Sequence, residues 1–290
     1  MNIGFIGTGV MGNSIVSHLL AAGYNLTIYS RTREKAQNLL EQGAHWANSP
    51  KELASGQQII FTMVGMPQDV HNIYFGNNGL IANVEKGTVL VDMTTSNPSL
   101  AQEIYEEATK RQVHSLDVPV SGGDIGARNG TLSLMVGGDE DVFLSIQDVL
   151  STFAETIVYQ GKAGSGQHTK MCNQILGVNN LIGVCESIAY ALAANLNVEN
   201  VLKSIATGAA GSWSMTNLGP KIIAADFNPG FFVKHMLKDL NIAQKECLNL
   251  GIHLPGLKKA LELFTQLEEK GYGDYGTQVL AKYYIESLKK

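Results

Sequence analysis

The stretch "MNIGFIGTGVMGNSIVSHLL" at residues 1–20 decides the fold. A short β-like run, residues 2–7, leads directly into Gly7, Gly9 and Gly12 and then into a helical segment. In such a strand–turn–helix unit the first glycine makes the tight turn, the second lets a pyrophosphate approach the backbone, and the third permits close helix–strand packing. The helix N-terminus adds N–H groups that favour an anion. We therefore predict a dinucleotide-binding loop made of Gly7, Thr8, Gly9, Val10, Met11 and Gly12.

The rest of the chain divides into two patterns. Up to about residue 161, β-like runs alternate with amphipathic helical segments, which predicts an α/β domain with a parallel, doubly wound Rossmann sheet. Ligands bind such sheets at the carboxyl ends of the strands. Residues 165–194 then form one long, nearly uncharged helix, and the remainder is helical in character. We predict a Rossmann domain at 1–161, an all-α domain at 162–290 and a long interdomain helix, with strands at 2–7, 25–30, 58–64, 88–93, 114–120 and 132–138.

Composition excludes several classes of function. Charged residues make up 16% of the 290 residues, against about 25% in typical soluble proteins, which indicates extensive buried or subunit-contact surface. The net charge of −5 and the absence of a basic run argue against nucleic-acid binding. Three scattered cysteines indicate a reducing cytoplasm. No uncharged apolar run reaches membrane-spanning length, and the seven isolated histidines predict no metal site.

The end of the second strand bears on the choice of dinucleotide. An NAD site usually has Asp or Glu here to bind the ribose 2′-hydroxyl, whereas this chain reads "IYSRT", with Ser30, Arg31 and Thr32. A guanidinium binds a 2′-phosphate in a bidentate manner, helped by the two hydroxyls. We predict NADP, with NAD possible. The alternative is that Arg31 caps the start of the next helix.

Two further segments end strands at the same predicted edge. "DMTTSNP" (92–98) carries hydroxyl residues, and "DVPVSGG" (117–123) ends in Ser121, Gly122 and Gly123. Two glycines after a serine expose backbone N–H groups, a nest suited to a carboxylate. The composition of this segment is equally compatible with an ordinary loop.

With these motifs in view, the chain resembles the β-hydroxyacid dehydrogenase family. Four ordered blocks carry the resemblance over most of the chain: "FIGTGVMG" (5–12), "DVPVSGG" (117–123), "GSGQHTKMCNQ" (164–174) and "KDLNIA" (238–243). The resemblance implies that Lys170 is catalytic. It implies substrate contacts for Ser121, Gly122, Gly123, Asn173, Gln174 and Phe231, and cofactor contacts for Met63, Val64, Thr95 and Lys238. Gln174, where many members have Asn, is a departure.

The function implied is hydride transfer between a nicotinamide cofactor and a small β-hydroxyacid or semialdehyde with a carboxylate. Lys170 would act as general acid and base in a cleft between the domains, and the protein would be a homodimer or homotetramer. Two alternatives are kept: a non-catalytic NADP-binding module for assembly or sensing, and 6-phosphogluconate dehydrogenase. The chain is short for the latter's helical domain. A single helical lysine is usually just solvated; the four matched blocks favour the catalytic interpretation.

Overall fold

The structure is a computed structural model that describes residues 1–289. Residue contacts divide the chain into two compact units, Met1–Lys170 and the part from Met171 onward. The division lies within one long helix, α9 (Ser165–Ala193), so the long helix predicted at 165–194 is confirmed. The domain boundary predicted after Gly161 stays a prediction.

The first unit is built on a nine-stranded sheet in which β3-β2-β1-β4-β5-β6 follow one another and pair in parallel. This is the strand order of doubly wound dinucleotide-binding domains, so the predicted Rossmann fold is confirmed. Strand β8 runs antiparallel to β6 and β7 and parallel to β9. The strands are β1 (Asn2–Ile6), β2 (Asn25–Tyr29), β3 (His45–Trp46), β4 (Ile59–Thr62), β5 (Val89–Asp92), β6 (His114–Asp117), β7 (Val120–Ser121), β8 (Leu132–Gly137) and β9 (Ala154–Gly161).

Both faces of the central strands are buried. Phe5, Phe61 and Val91 pack in one hydrophobic cluster, whereas their neighbours Ile60 and Leu90 pack in another. Alternate residues of a strand point to opposite faces, so helices cover the sheet on both sides. These helices are α1 (Val10–Ala21), α2 (Gln37–Glu41), α3 (Pro50–Leu53), α4 (Pro67–Tyr74), α5 (Leu80–Asn83), α6 (Pro98–Lys110), α7 (Gly123–Asn129) and α8 (Glu140–Leu150), with a 3₁₀ turn at Arg33–Ala36.

The strand predictions were wrong in three places. The single strand predicted at 114–120 is two strands, β6 and β7, separated at Val118 and Pro119, because proline cannot donate to the ladder. The short β3 and the edge strand β9 were not predicted. In β9 buried and exposed residues do not alternate regularly, so it lacks the period of two that marks a strand in a sequence.

The second unit contains helices only, in the part of it that the structure describes, apart from an isolated bridge between Phe232 and Gly276. Its core is one hydrophobic cluster that includes Val178, Leu240 and Phe264. Its helices after α9 are α10 (Val198–Ile205), α11 (Trp213–Ile223), α12 (Val233–Asn249), α13 (Pro255–Glu269) and α14 (Ala281–Ile285), with 3₁₀ turns at Thr277–Leu280 and Glu286–Lys289.

Helix α9 is long and apolar enough to cross a membrane by length and composition alone. Core helices of soluble proteins meet the same criterion, and 39% of its most apolar window is buried inside the protein. Among residues 1–289, no group of three or more His, Cys, Asp or Glu side chains is placed to hold a metal ion.

Candidate functional site

Two of the three glycines in the predicted dinucleotide-binding loop, Gly7 and Gly12, are required by the protein's own packing. Gly7 has φ +100° and donates a hydrogen bond to the Tyr29 carbonyl oxygen at 2.9 Å. A Cβ on Gly7 would lie 2.1 Å from the Met63 carbonyl oxygen, and one on Gly12 would lie 2.0 Å from that of Gly7. Gly7 therefore makes the turn out of β1, and Gly12 brings α1 against it.

The packing of the protein does not require a glycine at the middle position, Gly9. Gly9 is the N-cap of α1 in an extended conformation, and a Cβ there would meet no atom within 4 Å. The first N–H groups of α1, from Val10 and Met11 onward, have no intrahelical acceptor, and the Val10 side chain is exposed while Thr8 is buried. Space in front of a helix N-terminus fits the pyrophosphate of a dinucleotide.

The segment after β2 places a cation at the surface. The Arg31 side chain is 79% exposed and its Nη1 lies 3.4 Å from Oδ1 of Asp69 on α4. Thr32, not Arg31, is the N-cap of the following 3₁₀ turn, and it makes no side-chain capping bond. The alternative of a capping arginine therefore has no support, and position 30, directly after β2, is a serine rather than a carboxylate.

The loops after β4 and β5 are joined by a hydrogen bond. The Val64 N–H donates to Oγ1 of Thr94 at 3.0 Å, and the Thr94 N–H donates to Oδ1 of Asp92 at 3.0 Å. Because Met63 contacts Gly7, these loops lie at the same carboxyl edge of the sheet as the glycine loop. The structure therefore places Met63, Val64 and the loop that carries Thr95 beside the glycine loop. Their contact with a cofactor stays a prediction.

The start of α9 is hydrogen-bonded to a buried carboxylate at the end of β6. Asp117 accepts hydrogen bonds from the N–H groups of Gly164 and Gln167, both at 2.8 Å. Burial raises the pKa of Asp117 to about 6, although these N–H groups act in the opposite direction. The backbones are also in close contact, because a Cβ on Gly166 would lie 2.4 Å from the Met135 carbonyl oxygen in β8.

Lys170 lies one turn further along α9. It is buried, at 7% exposure, and its Nζ donates to the Val120 carbonyl oxygen at 2.8 Å. Directly after Val120, Gly122 (φ +125°) and Gly123 (φ +61°) turn the chain into α7. Such conformations favour glycine. The structure thus brings the Lys170 amine to the strand that carries the Ser121–Gly123 loop.

The remaining predicted residues belong to the second unit, where three of them are linked by polar contacts. The Asn173 amide donates to Oε1 of Gln174 at 2.7 Å, and Nε2 of Gln174 donates to Oδ2 of Asp239 at 2.6 Å. Lys238 Nζ lies 3.0 Å from Oδ1 of Asp239. Phe231 is half-buried against the helical core and is not among these hydrogen-bonded residues.

Asp117, Gln167 and Asp239 lie in the matched sequence blocks but were given no role from the sequence. All three are buried polar residues with partners distant in sequence. The signal for Gln167 was its spacing, since a polar residue three positions before Lys170 shares its helix face.

Comparison with known proteins matches both halves of the chain. The family described as the NAD binding domain of 6-phosphogluconate dehydrogenase matches residues 2–161, and the family described as NAD-binding of NADP-dependent 3-hydroxyisobutyrate dehydrogenase matches residues 164–284.

Individual relatives extend over nearly the whole length. An uncharacterized oxidoreductase of Bacillus subtilis is 51% identical over 98% of this chain and 99% of its own. A probable 3-hydroxyisobutyrate dehydrogenase-like protein of Arabidopsis thaliana is 45% identical over 96% of this chain and 83% of its own. A solved structure of Psf3 in complex with NADP⁺ and 2-OPP is 26% identical and superposes with a TM-score of 0.90 over 99% of each chain.

These matches account for the glycine loop, the doubly wound sheet and the helical second unit together. The chain therefore belongs to the β-hydroxyacid dehydrogenase family, and it is a 3-hydroxyisobutyrate dehydrogenase-like, NAD(P)-dependent oxidoreductase.

Proposed function

We propose that the chain is an NADP(H)-preferring enzyme that transfers hydride reversibly between nicotinamide and a small β-hydroxyacid or semialdehyde bearing a carboxylate. The observation that carries this proposal is the buried amine of Lys170, held 2.8 Å from the Val120 carbonyl oxygen directly before the Ser121–Gly123 loop. Burying an ammonium group is costly unless its charge is used.

The chemistry follows from the groups present. The nicotinamide cofactor supplies or accepts the hydride when it is bound. Lys170 donates a proton to the carbonyl oxygen during reduction and accepts the hydroxyl proton during oxidation. Its charge also stabilises the alkoxide character that develops on this oxygen. The backbone N–H groups of the Ser121–Gly123 loop bind the substrate carboxylate.

The preference for NADP(H) is supported by the segment after β2. Position 30 is a serine, so no carboxylate there repels a 2′-phosphate. The ion pair between Arg31 and Asp69 is long and exposed, and such pairs contribute about 0–1 kcal/mol. A 2′-phosphate, which offers shorter charge-assisted hydrogen bonds, therefore displaces Asp69 from the guanidinium.

A panel of glyoxylate, succinic, tartronate and methylmalonate semialdehydes, read at 340 nm with NADPH and with NADH, tests the reaction. Lys170→Ala should lower kcat by about 100-fold or more while the Kd for NADPH stays nearly constant, and small primary amines should restore part of the rate. Lys162→Ala removes an exposed lysine just before α9 and serves as the matched control. Normal turnover by Lys170→Ala would refute the proposal.

The same panel decides against the non-catalytic alternative. Wild-type protein that binds NADPH but reduces no member of the panel would favour a binding module for assembly or sensing. A buried, oriented amine beside a carboxylate-binding loop has no purpose in such a module, which is why we favour the enzyme.

We also infer that the protein is a homo-oligomer, either a dimer or a tetramer. Leu176 and Tyr190 of α9 are 64% and 75% exposed, and a spacing of fourteen residues places them on one helix face. Light scattering after size-exclusion chromatography measures the state, and a monomer at micromolar concentration would contradict the inference.

A further inference from the structure

Gln167 is a buried side chain with both ends of its amide in use. It has no solvent exposure; its Oε1 accepts from the Ser96 N–H at 2.9 Å, and its Nε2 donates to the Thr94 carbonyl oxygen at 2.7 Å. The partners fix the orientation of the Gln167 amide. The Ser96 N–H needs an acceptor, so it faces Oε1, and the Thr94 carbonyl oxygen needs a donor, so it faces Nε2. Gln167 therefore holds the backbone on both sides of Thr95.

The loop that Gln167 holds is part of the predicted cofactor edge. Thr94, whose carbonyl oxygen binds Gln167, also accepts the Val64 N–H through its own Oγ1 at 3.0 Å. A continuous set of hydrogen bonds thus runs from α9, through the loop after β5, to the loop after β4. Ligands of doubly wound sheets lie outside these strand ends.

The same residue is fixed relative to Lys170. The two are three positions apart on α9, so they are neighbours on one face of the helix. The Gln167 N–H is bound by Asp117 at 2.8 Å, and Lys170 Nζ is bound by the Val120 carbonyl oxygen at 2.8 Å. The turn between them is therefore held at both ends by the segment 117–120.

We propose that Gln167 is a positioning residue that sets the distance between the Thr95 loop and the amine of Lys170, and so aligns the nicotinamide with the proton donor. This inference rests on the proposed function. Hydride and proton must reach adjacent atoms of one carbonyl group, and a misplacement of about 1 Å costs on the order of 100-fold in rate.

Glutamine suits the position because one side chain of this length both accepts and donates. Glutamate keeps an acceptor for the Ser96 N–H but presents an oxygen to the Thr94 carbonyl oxygen. Methionine keeps the length and makes neither bond. At nearly constant side-chain volume, Gln167→Glu therefore removes the hydrogen bond to the Thr94 carbonyl oxygen, and Gln167→Met removes both hydrogen bonds.

The test compares turnover with the binding of two probes, NADPH and 2′,5′-ADP, which lacks the nicotinamide. For both variants we expect kcat to fall about 10- to 100-fold, with the KM for the semialdehyde within about threefold. The Kd for NADPH should rise several-fold while that for 2′,5′-ADP stays constant. Thr169→Val, which removes hydroxyl bonds to Gln160 and Ser165 on the same turn, is the control and should keep the wild-type kcat.

Two results would overturn the inference. One is a folded Gln167→Met, or Gln167→Glu if the former does not fold, with wild-type kcat. The other is an equal loss of affinity for NADPH and 2′,5′-ADP, which indicates general damage rather than positioning. If the wild type reduces no substrate, the proposed function fails instead, and the ratio of the two affinities still decides the role of Gln167.

Discussion

Replacing Gly166 with alanine tests whether the close contact of α9 with the sheet positions Lys170. The new Cβ would lie 2.4 Å from the Met135 carbonyl oxygen and 2.5 Å from that of Asp117. Both acceptors are backbone atoms of the sheet segment, so α9 must move by roughly 0.6 Å to reach the 3.0 Å below which real Cβ contacts are essentially never found. Lys170 is four residues on, on the same helix face.

The expected change in the free energy of unfolding is the balance of two opposing contributions. Overpacking of this kind costs about 1–3 kcal/mol, and the higher helix propensity of alanine returns up to about 1 kcal/mol. We expect Gly166→Ala to lower the free energy of unfolding by about 1–2 kcal/mol and kcat by about tenfold or more, since a shift of about 1 Å costs about 100-fold.

Gly177→Ala makes the same chemical change in the same helix, where a Cβ would meet nothing within 4 Å. This control should be as stable as the wild type or more so, and equally active. Urea titrations give the two unfolding free energies, and steady-state kinetics with the best semialdehyde gives kcat. If Gly166→Ala matches Gly177→Ala in both measurements, the backbone contact does not determine the position of Lys170.

Three further predictions concern single side chains. Arg31→Asp should shift the ratio of kcat/KM for NADPH over NADH towards NADH by at least about tenfold, because it exchanges a charge-assisted hydrogen bond for repulsion; an unchanged ratio would remove Arg31 from the 2′-phosphate site. Ser121→Ala removes the hydroxyl of this loop, which we expect to donate to the substrate carboxylate beside the backbone N–H groups, and should raise the KM for carboxylate-bearing aldehydes more than for uncharged ones; equal increases would contradict a part for this hydroxyl in binding the carboxylate. Burial raises the pKa of Asp117 from 3.8 to about 6, so the folded protein binds a proton more tightly than the unfolded chain, and its stability should rise as the pH falls from about 6 to about 4. This contribution, on the order of 3 kcal/mol, should be absent from Asp117→Asn; a difference in urea midpoint between wild type and variant that does not change with pH would refute it.

The sequence predicted the sheet well where periodicity and glycine chemistry act together. The runs that became β1, β4 and β5 are buried on both faces, so they read as continuous apolar segments bounded by turns. Strands β3 and β9 were missed because a two-residue strand and an irregular edge strand carry no comparable pattern. The fold was thus predictable at its centre and less so at its edges.

The candidate site was predictable only where a residue's chemistry is marked by its own neighbours. Lys170 and the Ser121–Gly123 loop stand in distinctive local sequences. The partners of Gln167 lie 71 and 73 residues away, and Asp117 reaches Gly164 across 47 residues. Such pairs form only when the sheet brings strand ends and helix starts together, so no local pattern marks them.

Three contacts that position the Lys170 amine lie within the first unit. Asp117 fixes the start of α9, Gln167 holds the loop around Thr95, and Val120 accepts the amine itself. In the second unit, Gln174 and Asp239 link Asn173 to Lys238 through two hydrogen bonds and an ion pair. Gln174 is a longer amide than the asparagine common in the family, and this extra length lets its Nε2 reach Oδ2 of Asp239 at 2.6 Å.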